Sequence, residues 1–176
     1  MDGQKEGSLR LITPGEIRLA KEVFGNTISW NKVWIHHDSY LPFGLQNKNT
    51  AMTPDGEIYF REGYRSDFSR APKYLQHLFI HELSHVWQRE RGMSVMFRGL
   101  VSWMVSYRYI LDGRPLRRYP MEQQAQIIAD YFLLKKYGYR EWATNRQNGF
   151  VTLDGETGIR SVERNYEQAL RGFPLC

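Results

Sequence analysis

Between residues 72 and 91, apolar residues recur at intervals of three and four, and Gly92 follows as a helix terminator. This pattern predicts an α-helix with one buried face. The same stretch contains the sequence FIHELSHVWQ, in which His81, Glu82 and His85 form an H-E-x-x-H motif. Residues four apart lie one turn apart on one face of a helix, so the two histidines can point at a single ion.

Two imidazoles with this spacing suit Zn²⁺, which prefers nitrogen, oxygen or sulfur ligands in tetrahedral geometry. Glu82 follows the first histidine directly, where it can take a proton from a water that the metal activates. The motif occurs by chance in roughly one chain per hundred of this size, so its context must support it. We therefore expect His81 and His85 to bind one Zn²⁺ per chain and Glu82 to act as the catalytic base.

A catalytic zinc site needs a third protein ligand and leaves one position open for water. His77 and His85 are two turns apart, about 12 Å along the helix axis, too far to share an ion. His36 and His37 are adjacent on a predicted strand, so only one of them can face a given site. Glu122 begins a second predicted helix and is the best remaining candidate. We predict Glu122 as the third ligand, although a first-turn glutamate also occurs for the helix dipole alone.

The other segments indicate a small α+β domain. Thr13-Pro14-Gly-Glu16 is a capping box that opens a helix ending at Gly25. Strands are predicted in TISWNKVWIHHD and, as a pair around a Pro-Asp-Gly turn, in TAMTPDGEIYF. Further helices are predicted, in order, over residues 96–111, 120–138 and 158–171. We expect a short, mostly antiparallel sheet packed on the helix that carries the motif.

The length of 176 residues suits one domain. We predict a flexible N-terminal lead over residues 1–12 and a single metallopeptidase domain over residues 13–176. The only cysteine, Cys176, excludes an internal disulfide. The N-terminal sequence lacks the apolar region of a secretion signal, so we expect export without a signal peptide.

The net charge of +5 raises the question of nucleic-acid binding. The basic residues are scattered, and only Arg114, Arg117 and Arg118 cluster, in a predicted loop. No nucleic-acid-binding motif is present, so we expect a solvated basic surface and no nucleic-acid partner. No apolar run is long enough for a transmembrane segment.

H-E-x-x-H followed by a distant glutamate on a second helix resembles the gluzincin zinc metallopeptidases. Over residues 50–90, AMTPDGEIYF followed by LQHLFIHELSHVWQ is similar to small H-E-x-x-H domains of Vgr-related and Rhs-related type VI secretion proteins. The resemblance implies a zincin-like fold and an antibacterial effector that is injected into the periplasm of a target cell. It also implies a protein or peptide substrate, a secretion-spike partner and an immunity protein. His81, Glu82 and His85 match the motif, and Glu122 matches the distant glutamate.

Several residues are candidates for supporting roles. Asp130 and Gln126 could accept the outer ring hydrogen of a ligating histidine, and Gln88 could line the cleft. Either Ala51–Thr53 or Glu57–Phe60 could bind an extended peptide along a sheet edge. The donor that stabilises the oxyanion stays open among four tyrosines: Tyr107, Tyr109, Tyr119 and Tyr131.

Three functional classes compete on this sequence. A zinc metallopeptidase is the leading one. A peptidoglycan amidase or peptidase would use the same zinc chemistry. A non-catalytic zinc-binding domain is the third, but Glu82 argues against it, because a structural site favours four closed ligands and needs no base.

Overall fold

The computed structural model describes residues 5–93 and 106–176. Within these ranges the chain has an α+β fold, which confirms the predicted class. The helices are α1 (Pro14–Phe24), α2 (Lys73–Glu90), α3 (Met121–Tyr137), α4 (Tyr139–Gln147) and α5 (Ile159–Ala169). The strands are β1 (Ser8–Leu11), β2 (Trp34–His37), β3 (Ile58–Phe60), β4 (Tyr109–Ile110) and β5 (Leu153–Asp154). None of the helices in the described ranges has the length and apolar character needed to cross a membrane.

The first three strands form one sheet in the order β1-β2-β3. Strand β2 pairs antiparallel with β1 and parallel with β3. Met52 forms an antiparallel bridge with Tyr59. Two of these three pairings are antiparallel, as predicted, and the two arms of the Pro-Asp-Gly turn face each other. A stack of Phe60, Phe68 and Phe79, with centroids 4.6 and 4.8 Å apart, joins the sheet to α2.

Strand β1 lies inside the segment for which the sequence predicts a flexible lead. The structure corrects that expectation for residues 8–11, because they pair with β2 along their whole length. Arg10 also joins β1 to α1, because it donates to the buried carboxylate of Glu16 at 2.7 and 2.9 Å. Glu16 also completes the predicted capping box with Thr13 at the start of α1. The single domain over residues 13–176 stays a prediction.

Helix α2 runs through the centre of the molecule and is buried from Leu75 to Gln88 except at Leu78. Its long axis lies against α3, where Ala125 and Ala129 are completely buried. Small side chains at these two positions let the helix backbones approach closely. This packing places the start of α3 next to the middle of α2.

The region after α2 departs from the predicted pattern. The helix predicted over residues 96–111 falls mostly outside the described ranges, and its end instead forms β4, which pairs parallel with β5. Helix α4 follows α3 after Gly138, whose φ of 87° ends the preceding helix. Neither α4 nor β5 was predicted from the sequence.

Candidate metal centre

Three buried side chains converge where α2 meets α3. Helix α2 presents His81 and His85 on the same face, one turn apart, and the first turn of α3 presents Glu122. The Nε2 atoms of the two histidines lie 3.3 and 3.2 Å from Oε2 of Glu122. The three potential ligand atoms lie within 4.8 Å of one another. The structure thus brings together all three residues that the sequence predicts as metal ligands.

The outer ring nitrogen of His81 contacts an oriented amide. Its Nδ1 lies 3.1 Å from Oε1 of Gln126. The other end of that amide, Nε2, donates to Asp130 Oδ1 at 2.9 Å and to the carbonyl of Phe150 at 2.6 Å. Because both of these partners are acceptors, the amide oxygen must be the atom that faces His81. His81 therefore carries its hydrogen on Nδ1, and its Nε2 has a free lone pair.

His85 is held in the same way by Gln88, three residues later on α2. Its Nδ1 lies 2.8 Å from Oε1 of Gln88, and Nε2 of Gln88 donates to the carbonyl of Met121 at 3.0 Å. The amide oxygen again faces the imidazole, which places the ring hydrogen on Nδ1. In their neutral forms, both histidines thus direct an unprotonated Nε2 towards Glu122.

Two imidazole lone pairs that face a carboxylate repel it unless a cation lies between them. In the absence of a metal, only a proton can supply that charge. Burial opposes a charged imidazole, but the attraction and hydrogen bond of Glu122 outweigh it and raise the pKa of His85 to about 9. Burial likewise favours a neutral Glu122, but His85 and His81 lower its pKa well below the ordinary value. The donor set of two nitrogens and one oxygen fits a divalent metal such as zinc.

Glu82 is buried beside this group without belonging to it. Its Oε2 accepts a hydrogen bond from the hydroxyl of Thr53 at 2.5 Å. Thr53 belongs to the segment that leads into the turn before β3, so the sheet edge and α2 together fix the carboxylate. This contact was not predicted, because no local sequence signal marks a threonine 29 positions away.

A cleft of about 600 Å³ opens at these residues. Its walls include His81 and Glu82 on α2, the edge segment 49–51, and Tyr107. The Tyr107 ring lies 5.8 Å from that of His81, and burial together with the carboxylates of Glu122 and Glu82 raises its pKa. Tyr107 is thus the one of the four candidate tyrosines that lines the cleft.

The other three tyrosines contact different parts of the protein. Tyr109 donates to Asp130, Tyr119 donates to the carbonyl of Ile110, and the Tyr131 ring stacks on Tyr166. Each has a structural contact that accounts for its position, and none of them lines the cleft.

The remaining histidines lie outside the ligand group. His77 Nε2 is bound to Asp130 at 2.7 Å, so Asp130 supports His77 and Gln126 rather than a ligating histidine directly. His36 pairs with Glu57 at 2.9 Å. His37 stacks on the ring of Tyr64.

The structure resembles that of the effector domain of Pseudomonas aeruginosa VgrG2b. The TM-score is 0.66 and the sequence identity 34%, and the match covers 88% of this chain and 89% of that one. The chain belongs to the family of VgrG2b effector domains. The predicted resemblance to Vgr-related type VI secretion proteins is thus confirmed.

The chain also matches one region of a much longer protein. The type VI secretion system spike protein VgrG2b of P. aeruginosa is 37% identical over a 159-residue alignment that covers 85% of this chain. The match spans only 15% of the spike protein. No protein-family model matches the chain.

Proposed function

We propose that this chain is a zinc-dependent metallopeptidase of the gluzincin type that acts as a type VI secretion effector. The observation that carries the proposal is the convergence of two Nε2 lone pairs and one carboxylate oxygen, at 3.3 and 3.2 Å. Gln126 and Gln88 fix both tautomers, so the site is organised for a cation before one binds. Zinc, when bound by His81, His85 and Glu122, would polarise a water and a substrate carbonyl.

The residues around the ligands suit amide hydrolysis. Glu82 can accept a proton from the attacking water and pass it to the leaving amine. The hydroxyl of Thr53 holds one oxygen of Glu82, which leaves the other oxygen to handle the proton. Tyr107 has a hydroxyl that can donate to the developing oxyanion. A structural metal site would need neither a base nor an open cleft.

The edge of the sheet offers a binding surface for an extended peptide. The backbone N–H and C=O of Met52 both bond to Tyr59. The neighbouring residues Ala51 and Thr53 therefore turn their backbone groups away from β3, because antiparallel pairing alternates along a strand. These groups have no backbone partner among the described residues. A substrate peptide could add to this edge as a further strand.

The family relationship supports an effector role. The relative is a secretion spike protein, and we propose that this domain is likewise delivered through a spike into the periplasm of a target bacterium. Its substrate would then be a periplasmic protein or a cell-wall peptide. A producing cell would need an immunity protein that blocks the cleft.

The first experiment is elemental analysis of purified wild type, Glu122→Ala and Glu82→Ala. We expect one zinc ion per wild-type chain, loss of zinc in Glu122→Ala and retention of zinc in Glu82→Ala, because Glu122 is a proposed ligand and Glu82 is not. Glu163→Ala is the matched control, since that carboxylate is exposed on α5. Zinc-free wild type after reconstitution would overturn the proposal.

Activity is then measured on unfolded protein and on peptidoglycan peptides. We expect wild type to cleave at least one of them and Glu82→Ala to cleave neither while still holding zinc. Cleavage restricted to peptidoglycan would identify the amidase alternative. Equal cleavage by wild type and Glu82→Ala would refute the role of Glu82.

A further inference from the structure

The cleft extends beyond the metal centre to a pair of aromatic residues. Tyr74 and Phe150 both line it, and their rings stack with centroids 5.4 Å apart and an interplanar angle of 28°. Their exposed fractions are 42% and 41%. Half-exposed aromatic rings that face a cleft are typical of ligand-binding surfaces, because burying them on binding is favourable.

The backbones of both residues are joined to the elements that carry the metal ligands. Tyr74 is on α2, the helix that carries His81. Phe150 follows Gly149, whose φ of 81° turns the chain after α4. The carbonyl of Phe150 accepts from the same Gln126 amide that orients His81. The aromatic pair is therefore attached to the same elements that position the metal ligands.

The edge segment 48–53 runs alongside α2 from this pair to the metal centre. At its start the carbonyl of Lys48 accepts from the N–H of Glu62, and the next residue, Gly63, lies against Leu75 and Leu78 in the first half of α2. At its end Thr53 contacts Glu82. The edge and the helix thus run in the same direction along the cleft, from the aromatic pair towards the catalytic end.

The distance between the aromatic pair and the bond that would be cleaved follows from helix geometry. Tyr74 precedes His81 by seven residues, which is about 10.5 Å along the helix axis. An extended peptide advances about 3.4 Å per residue, so three residues span the distance. A peptide that pairs antiparallel with segment 48–53 runs from the metal centre towards Tyr74. Its third residue after the cleaved bond would then reach the aromatic pair.

We infer that Tyr74 and Phe150 form a subsite for a large apolar or aromatic side chain, on the third residue after the cleaved bond. The inference rests on the proposed peptidase function and adds a sequence preference to it. A peptide is favoured over a sugar ring, because Ala51 lines the same cleft and its backbone groups, which have no backbone partner among the described residues, match a peptide backbone.

Hydroxamate peptides test this inference, because the hydroxamate anchors the probe at the zinc. In one pair the hydroxamate precedes Leu-Ala-Phe-amide or Leu-Ala-Ala-amide, so the peptide extends to the C-terminal side of the zinc-bound group. A second pair, Phe-Ala-Leu-hydroxamate and Ala-Ala-Leu-hydroxamate, extends to the N-terminal side. Affinities for the zinc-loaded protein are measured by calorimetry. We expect the phenylalanine probe of the first pair to bind about tenfold more tightly than its alanine partner, and the second pair to show no difference.

Substitutions in the aromatic pair test whether these two rings cause the preference for the phenylalanine probe. Tyr74→Ala and Phe150→Ala should each remove the difference between the first two probes while the alanine probe keeps its wild-type affinity. Phe43→Ala, a fully exposed phenylalanine that does not line the cleft, should leave the difference unchanged. Equal binding of the first pair by wild type, or a preference only in the second pair, would overturn the inference. Failure of all four probes to bind would instead refute the metal site. If a muropeptide bound through its sugar in a manner that depends on Tyr74, the inference of a side-chain subsite would also be overturned.

Discussion

Replacing Thr53 by valine removes the hydroxyl that contacts Glu82 and keeps the shape of the side chain. The contact is 2.5 Å long and both residues are buried. A hydrogen bond to a charged group contributes about 1.5–3 kcal/mol. If that energy holds the carboxylate in the geometry that proton transfer needs, its loss lowers kcat by about 10- to 150-fold.

The assay compares steady-state cleavage of one peptide by wild type, Thr53→Val and Thr53→Ser, with the zinc content of each. Serine keeps the hydroxyl, so we expect Thr53→Ser to retain most activity. Thr53→Val should lose kcat with little change in KM, because Thr53 acts through Glu82. Zinc content should stay at the wild-type level in both, since Thr53 contacts no ligand. Wild-type kcat in Thr53→Val would refute the role of Thr53, and loss of zinc would show that the substitution disturbs the whole site.

Three further predictions concern the support of the metal centre. Gln126→Ala should weaken zinc binding about 10- to 100-fold in a chelator competition, whereas Gln123→Ala on the same helix should not. Asp130→Asn should destabilise the protein by about 3 kcal/mol in urea unfolding, because this fully buried carboxylate accepts four hydrogen bonds and an asparagine cannot. In the metal-free protein the pKa of His85 is raised from 6.5 to about 9, so the stabilisation by its charged form is complete below pH 6.5 and is lost as the pH rises towards 9. Thermal unfolding of the metal-free protein across this range should show a falling Tm, and a Tm that rises would contradict the assignment.

The sequence predicted those parts of the fold that depend on short-range spacing. The capping box of Thr13 and Glu16 and the helical face of His81 and His85 each follow from residues within one turn of each other. Glu122 was predicted because it was the only suitable ligand at the start of a second strong helix. Helix α2 and helix α3 begin and end within one residue of the prediction, because proline precedes both and glycine follows soon after.

Elements without such local signals were not predicted. Helix α4 buries only Trp142 and Asn145, so its sequence lacks an apolar period. Strands β4 and β5 are two residues each, too short for alternation to show. Strand β1 was assigned to a flexible lead, because its partner lies more than 20 residues away and its exposed residues Leu9 and Leu11 give no clear buried face.

The glutamines that orient the histidines could be predicted only in part, and only after the metal ligands had been chosen. Helix α3 begins with a run of glutamines, and nothing in their chemistry separates Gln126 from Gln123. The helical period does separate them once Glu122 is taken as a ligand, because Gln126 and Asp130 follow it at intervals of four and lie on the same face. Gln123 points about 100° away from that face and instead bonds to the exposed carbonyl of Arg108. The choice of the third ligand therefore also determines which glutamine is expected to orient His81. A wrong third ligand would have led to a wrong glutamine as well.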